Sequence, residues 1–452
     1  MKVKNISGAN TASQSPLSRV LKNAAILLSG NMAANIFGLL SLAIFTHSQG
    51  VVIFGYYVLF LTFIEIIDKV FNFQTWQAFI KFATDFQVKY EEHNVMMLLK
   101  YSFLVDLISL MIAALVALAM SFYAMSFFEI PQEYYHLLLL MTLTILFRTT
   151  EISTGVFRLF DEFKIQAKIT VYAAAFKLIL FGVIALVTPS FEAFIYATVL
   201  SQFVTMMMKF FYAKQTLNNN DIKLSDIKKE KINMLLLKEL KIFSFIIYKN
   251  FSVSIRMVSR QLDMVILGKL YGAEIVGLYK IAKEVANLMA KLTDPVYQAV
   301  YPEFAKLIAN GRKIEANKMA IKISIYAGLS ALVFYILFIL FGERGLSMAF
   351  GQEFIEAYKL TLIYFMAIFI AILSLPLVPL MDSSGLVKYT FTNQMYATII
   401  YILIVYPLIS EYGAVGAGSG YIAYYFSWSL MALNRLYVHN KIGKHLNGQS
   451  KI

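Results

Sequence analysis

Hydrophobic positions in this chain come in long unbroken blocks, without the alternation of a half-buried strand or the one-sided stripe of a surface helix. The blocks run over about 20–46, 51–80, 100–127, 134–157, 168–188, 191–213, 243–267, 274–303, 318–341, 358–382, 387–408 and 413–435. At ~1.5 Å per residue, each is long enough to cross a hydrocarbon layer of ~30 Å as a helix. Lipid offers no partner to a backbone N–H or C=O, so an apolar run without alternation predicts a helix that bonds within itself. The expectation is an all-α integral membrane protein with about 12 transmembrane helices.

A second regularity runs across those blocks. Gly50-x4-Gly55-x-Tyr57 returns 222 positions later as Gly272-x4-Gly277-x-Tyr279, and Phe79-x2-Phe82-Ala83 returns as Tyr301-x2-Phe304-Ala305. This reads as a duplication: an N-terminal six-helix half over 1–213, a basic cytoplasmic linker over 214–241 and a C-terminal six-helix half over 242–452. Two similar halves are the usual frame of an alternating-access transporter, with the substrate site at the repeat interface. Gly272 and Gly277 read as a loop turn and a close helix contact in preference to ligand contacts. Pro295 and Pro302 are expected to bend the eighth run, and Pro376 and Pro379 to break the tenth.

The chain is 59% hydrophobic and 15% charged, against about 25% charged in a soluble domain. It has no Cys, which removes disulfides, thiolate catalysis and thiolate metal ligation. The first run is too long for a signal-peptide core and lacks a small-x-small cleavage pattern after it, so it is expected to stay as a span. Of the 40 Lys and Arg, 28 fall in one alternate set of connections and three, Lys269, Arg344 and Lys359, in the other, which holds Glu129, Glu133, Glu192, Glu343 and Glu411. Positive charge stays on the cytoplasmic side, so both termini are read as cytoplasmic. The formal net charge of +13 is therefore a topology signal; a nucleic-acid binder would gather its basic residues on one solvated domain. Lys223 to Lys241 is the densest run, either a solvated linker or a segment lying on anionic headgroups of the phospholipid membrane.

Nine cations remain inside the spans: Lys69, Arg148, Lys177, Lys249, Arg256, Arg260, Lys280, Lys283 and Lys291. A charge at the bilayer centre costs about 2.5–3.5 kcal/mol on insertion scales, so each needs a partner or a wet cavity. Lys69, Lys249 and Lys291 lie close enough to the cytoplasmic ends to snorkel. At ~100° per residue, Lys249, Arg256, Arg260 and Asp263 share a sector of about 60° on the seventh span, and Lys280, Lys283, Glu284, Asn287, Lys291 and Asp294 one of about 100° on the eighth. One account is internal, pairing Arg148 with Glu151, Arg260 with Asp263 and Lys280 with Glu284. It does not reach Lys177 or Arg256, which have no acid three or four positions away.

The other account is a cationic substrate-binding surface made of Arg148, Lys177, Lys249, Arg256, Arg260, Lys280, Lys283 and Lys291. It implies an anionic substrate, because guanidinium forks and lysine point charges suit phosphate oxygens. With faces rich in Phe, Leu, Ile and Met left for a lipid tail, this is the physics of a lipid flippase. Asn31 and Asn35 are candidates for sugar hydroxyls or for helix contacts. Glu65, Asp68, Asp263 and Glu284 are candidates for sugar or coupling-ion contacts or for salt bridges, one between Asp68 and Lys69 included.

Asp263-x4-Gly268, then Gly272 and Gly277-Leu278-Tyr279-x2-Ala282, then Tyr301-Pro302-x-Phe304-Ala305 resemble the hallmark stretch of the oligosaccharide flippases. These are the O-antigen (Wzx-type) lipopolysaccharide biosynthesis exporters of the MOP superfamily, which also holds the MATE transporters and the peptidoglycan-precursor flippase. Tyr412-Gly413-x2-Gly416-Ala417 and Arg158-x5-Lys164 extend the similarity. The resemblance implies a MATE-like pair of six-helix bundles with a cationic lumen, set in the bacterial inner membrane. It implies movement of an undecaprenyl-pyrophosphate-linked oligosaccharide from the cytoplasmic to the outer leaflet, alongside polysaccharide polymerase and chain-length machinery.

Two alternatives stay open. A MATE-like ion-coupled exporter of small molecules shares the fold but typically carries cations and relies on buried carboxylates; the excess of buried cations here stands against it. A membrane glycosyltransferase or polymerase would need a substantial loop with acids, His or Arg at the headgroup. The longest outward connection is about 342–357, and His47, His93, His136, His439 and His445 are scattered singly. No catalytic residue, metal-ligand spacing, cofactor or nucleic-acid partner is expected.

Overall fold

The computed structural model describes residues 16–73, 75–148, 151–291 and 293–449, and among these there is no strand. The first six spans are carried by α1 (Pro16–Phe71), α2 (Trp76–Val88), α3 (Glu92–Phe127), α4 (Tyr135–Leu146), α5 (Glu151–Leu159), α6 (Phe163–Val187) and α7 (Phe191–Asn219). Two short helices follow, α8 (Leu224–Lys229) and α9 (Met234–Glu239). The remaining spans are α10 (Ile242–Lys291), α11 (Asp294–Ala309), α12 (Lys313–Phe350), α13 (Ala357–Leu373), α14 (Leu377–Ser383) and α15 (Val387–Gln449).

Three of these helices are doubled. Within α1, α10 and α15 the backbone leaves the helical region at one residue each: Gly50 (φ 75°, ψ 179°), Gly272 (φ 77°, ψ −174°) and Gly413 (φ 58°, ψ −136°). A positive φ with extended ψ is open to glycine almost alone, so each marks the junction of two consecutive spans. Counted this way the helices supply the twelve expected spans. Gly50 and Gly272 are repeat mates with nearly identical torsions, so the duplication legible in the sequence is also a duplication of backbone conformation. Among the described residues, eight helical segments are long and apolar enough to cross a membrane. The doubled helix α10 is absent from the eight because its charged stripes lower its hydropathy.

The chain forms two compact units, Met1–Gln49 with Tyr56–Gln261 and Gly50–Gly55 with Leu262–Ile452. The short piece Gly50–Gly55 is therefore built into the second unit. A Cβ on Gly277 would lie 2.7 Å from the Val51 carbonyl oxygen, and one on Gly55 would strike the Ala273 carbonyl. Each repeat glycine thus packs against the residue that follows the kink of the other repeat, the close contact expected of Gly277. The Glu353 carboxylate accepts from the Val51 N–H at 2.8 Å.

In the first unit, Phe79, Phe82 and Ala83 of α2 are buried against Val95, Leu98, Ile152 and Val156. The basic run joins this core through Ile227 and Leu237, while Lys223, Lys228, Lys229, Lys231, Lys238 and Lys241 stay exposed. Lys100 fixes the run by donating to the carbonyls of Lys228 and Glu230, both at 2.7 Å. In the second unit, Phe304 is fully buried among Val300, Ala316, Leu380, Met381 and Trp428. Large apolar side chains on α6 and α12, such as Leu186, Val183, Leu340 and Val333, are exposed. Water would not tolerate such belts, and lipid does.

Four spans are discontinuous, in matching places. In the first unit the second span breaks between Phe71 and Trp76 and the fourth between Leu146 and Glu151; in the second unit the breaks fall between Lys291 and Asp294 and between Leu373 and Leu377. Pro376 caps α14 and Pro379 lies in its first turn, as expected for the tenth span. Pro295 sits at the start of α11, while the side chains of Pro295 and Pro302 lie outside the described residues. The breaks in spans two and four contain no proline and were not expected.

Candidate functional site

In the first unit the two breaks are tied to each other. Asp68, fully buried one turn before the end of α1, accepts from Arg148 Nη1 at 2.5 Å, Asn72 Nδ2 at 3.0 Å and Lys69 Nζ at 3.2 Å. Arg148 therefore pairs with Asp68, in place of the expected partner Glu151. The i,i+3 geometry behind that expectation needs a continuous helix, and α4 ends at Leu146. Backbone groups freed by the first break are satisfied by side chains: Asn250 Nδ2 donates to the Asn72 carbonyl at 2.7 Å, Ser254 Oγ to that of Lys69 at 2.8 Å, and the Phe73 and Thr75 N–H groups donate to Ser109 Oγ at 3.3 Å and Asp106 Oδ1 at 2.9 Å. Glu65 accepts from Gln261 Nε2 at 3.0 Å.

Lys177, on α6, has no acidic partner among the described residues. Its Nζ donates to the Tyr57 hydroxyl at 3.0 Å and lies 4.9 Å from the Phe181 ring centroid and 5.6 Å from that of Tyr57. Thr198 Oγ1 donates its proton to the Phe194 carbonyl at 2.9 Å, so the Tyr57 proton is directed to Thr198, 3.3 Å away. Hydroxyl and ring faces stabilise the ammonium without neutralising it. A lysine held this way is left open to an anion.

In the second unit, fully buried Asp263 accepts from the Tyr279 hydroxyl and from Lys283 Nζ, each at 2.8 Å, and from the Met264 N–H at 2.9 Å. Lys283 also donates to the Tyr421 hydroxyl at 3.2 Å and lies 5.0 Å from that ring. Tyr364 closes the group, its ring 5.9 Å from Tyr279 and 5.1 Å from Tyr421. Asp263 thus takes Lys283, twenty positions on, where the helix-face arithmetic gave it Arg260. Lys280 pairs with Glu284 at 2.9 Å as expected.

The sequence-derived set is thereby divided. Arg148, Lys177, Glu65 and Asp68 belong to the first unit, with Lys249 and Arg260, both exposed, on the first part of α10. Lys280, Lys283, Asp263, Glu284 and half-buried Lys291 belong to the second. Asn31 is exposed and Asn35 half-buried on α1. The side chain of Arg256 lies outside the described residues.

Two features escaped the reading of the sequence. Tyr57 and Tyr279 were visible as repeat mates, and each proves to hold a buried or half-buried lysine by its hydroxyl or through a shared acid. The signal was the repeat itself. Asp106 is the one charged residue of α3 that follows Lys100, and its isolation within an apolar run is the signal the sequence carries.

A family model described as polysaccharide biosynthesis protein matches residues 51–359. Inner membrane protein YghQ of Escherichia coli (strain K12) is 23% identical over 351 residues, 75% of this chain and 95% of that protein. Among solved structures, the lipid II flippase MurJ in an inward closed conformation superposes with a TM-score of 0.68 at 14% identity, covering 91% of this chain and 87% of that one. An inward-facing multidrug resistance MATE family transporter of the MOP superfamily gives 0.69 at 13% identity, covering 93% and 98%. At those identities the likeness is one of fold, an all-α, multi-pass membrane fold shared with these transporters. The family match spans well over half of the residues, and the chain belongs to the polysaccharide biosynthesis protein family.

Proposed function

We propose that this protein is a flippase of the bacterial inner membrane. It carries an undecaprenyl-pyrophosphate-linked oligosaccharide, an O-antigen or related lipopolysaccharide repeat unit, from the cytoplasmic to the outer leaflet by alternating access. There a polysaccharide polymerase and its chain-length machinery would take it up. The observation that carries the reading is Lys177, a cation inside a membrane span with no acidic partner among the described residues. A cation inside a span is costly unless an anion visits it, and a pyrophosphate is the anion that the resemblance to the oligosaccharide flippases implies. The family assignment, the fold shared with a lipid II flippase and the inner-membrane name of the relative all support it.

Complementation tests it. The chain is expressed in a bacterium lacking its O-unit flippase, and polymerised surface polysaccharide is scored for the parent and for Lys177→Ala at matched membrane abundance. Restoration by the parent and not by the variant is the expected result. A well-inserted parent that restores nothing, but lowers accumulation of a cationic dye in an efflux assay, is a small-molecule exporter and removes the reading.

A further inference from the structure

Three acids are fully or almost fully buried among the described residues: Asp68, Asp106 and Asp263. Asp68 is paired with Arg148 and Lys69, and Asp263 with Lys283. Asp106 has no cation. It stands in α3, 1% exposed, and its Oδ1 accepts from the Thr75 N–H at 2.9 Å, where the second span resumes as α2. Its Oδ2 is buried without a hydrogen-bond partner, and so is Ser102 Oγ, one turn back on the same helix. The Thr75 hydroxyl donates to the Ser102 carbonyl at 3.2 Å and also lies within reach of the Asp106 carboxyl.

The charged groups nearby do not relieve this acid. On α1 and after α4, Asp68, Lys69 and Arg148 are engaged with one another. On α3, Lys100 is engaged with the Lys228 and Glu230 carbonyls. Glu151, at the start of α5, is the neighbour whose charge reaches Asp106, and it is of like sign. An isolated carboxylate in such a place is expensive, and the usual resolution is to bind a proton. A proton also needs no cavity.

We propose that Asp106 is a proton-binding site at the break of the second span, and that its proton occupancy controls how firmly α2 is held to α3. The proton, once bound, removes the charge from a carboxylate whose Oδ2 is buried without a hydrogen-bond partner. Once released, the full charge on the carboxylate strengthens the bond from the Thr75 N–H, because charge-assisted hydrogen bonds are roughly twice as strong as neutral ones. Proton release therefore tightens the start of α2 and proton uptake loosens it. This site is independent of Lys177 and of which anion is carried.

The chain offers its own probe. It has two tryptophans, and one of them, Trp76, is the first residue of α2. In full-length protein reconstituted into lipid nanodiscs with Trp428→Phe, Trp76 emission is followed across a pH titration, and the infrared carboxyl C=O band of protonated acids is recorded on the same samples. The expected result is a pH-dependent change of emission that is lost, together with one component of the carboxyl band, in Asp106→Asn. In Asp106→Glu both are retained with a moved midpoint, which keeps the test decisive if the Asn variant is not recovered folded. An emission change that survives in Asp106→Asn, or a carboxyl band with no Asp106-dependent component, overturns the proposal. So does a transition that follows sodium concentration at fixed pH, which would assign a metal-ion site instead.

Discussion

Arg148 and Asp68 stand eighty positions apart in the chain and 2.5 Å apart in the fold. The arginine lies in the break of the fourth span and the aspartate just before the break of the second, so one ion pair fixes both discontinuities of the first unit. In the second unit, Ser374 Oγ at the break of the tenth span is hydrogen-bonded to Ser429 Oγ of α15 at 2.5 Å. The duplication has kept the broken helices.

Removing one member of a buried pair strands the other, at a cost of about 3–5 kcal/mol. Arg148 is 26% exposed and Lys69 stays beside Asp68, so Arg148→Ala should fall near the lower end, about 3 kcal/mol. Thermal unfolding of the detergent-solubilised protein should show a clear loss for Arg148→Ala and recovery when Asp68→Asn is added. A stable but transport-dead Arg148→Ala would instead make this arginine a substrate ligand.

Lys177 should behave in the opposite way. Its contacts are a hydroxyl and two rings, so Lys177→Ala should leave the melting temperature nearly unchanged. A hydrogen bond to a charged group contributes about 1.5–3 kcal/mol, so surface-polysaccharide assembly should drop at least roughly tenfold. Lys177→Arg should retain part of the activity, and Tyr57→Phe should have a smaller effect than either. The readout is polymer length and amount at matched membrane abundance.

Asp263 and Lys283 form the buried pair of the second unit, with Tyr279 as a third member. Asp263→Ala alone should destabilise by about 3–5 kcal/mol, since it leaves an ammonium 13% exposed among tyrosines. The double variant Asp263→Asn with Lys283→Met should be closer to the parent than either single change, with a coupling of about 0.5–3 kcal/mol. A double-mutant cycle on thermal stability measures this, and strict additivity would show the pair to be uncoupled.

Glycines offer a contrast of sign. A methyl group on Gly277 meets the Val51 carbonyl oxygen at 2.7 Å, and Gly50 sits at a φ of 75° that side chains rarely adopt. Gly277→Ala and Gly50→Ala should both lower the melting temperature. Gly182, inside α6, has nothing within 4 Å of an added Cβ. Gly182→Ala should be neutral or stabilising by up to about 1 kcal/mol.

Much of the architecture was legible before any coordinates. Span positions follow from apolar runs, because the cost of leaving a residue in lipid is set largely by that residue and accumulates along a helix. The kinks at Gly50 and Gly272 were foreshadowed by the repeat, because a positive φ constrains the residue type on the spot. Pro376 and Pro379 announced the break in the tenth span for the same local reason, the loss of a backbone donor. The breaks in the second and fourth spans carry no such mark, since Asn250, Ser254, Ser109 and Asp106 stabilise the freed backbone from helices distant in sequence.

The chain's own order of residues thus determined the helical class, the spans and the internal repeat, all of which rest on local and additive physics. Which charge meets which was decided only by the tertiary structure. Helix arithmetic finds neighbours three and four positions away, yet Arg148 chose Asp68 and Asp263 chose Lys283, because a charge in lipid is stabilised by whichever partner the packing of separate helices brings within reach. The same packing left Lys177 with hydroxyl and ring faces, and Asp106 with Thr75 and no cation among the described residues.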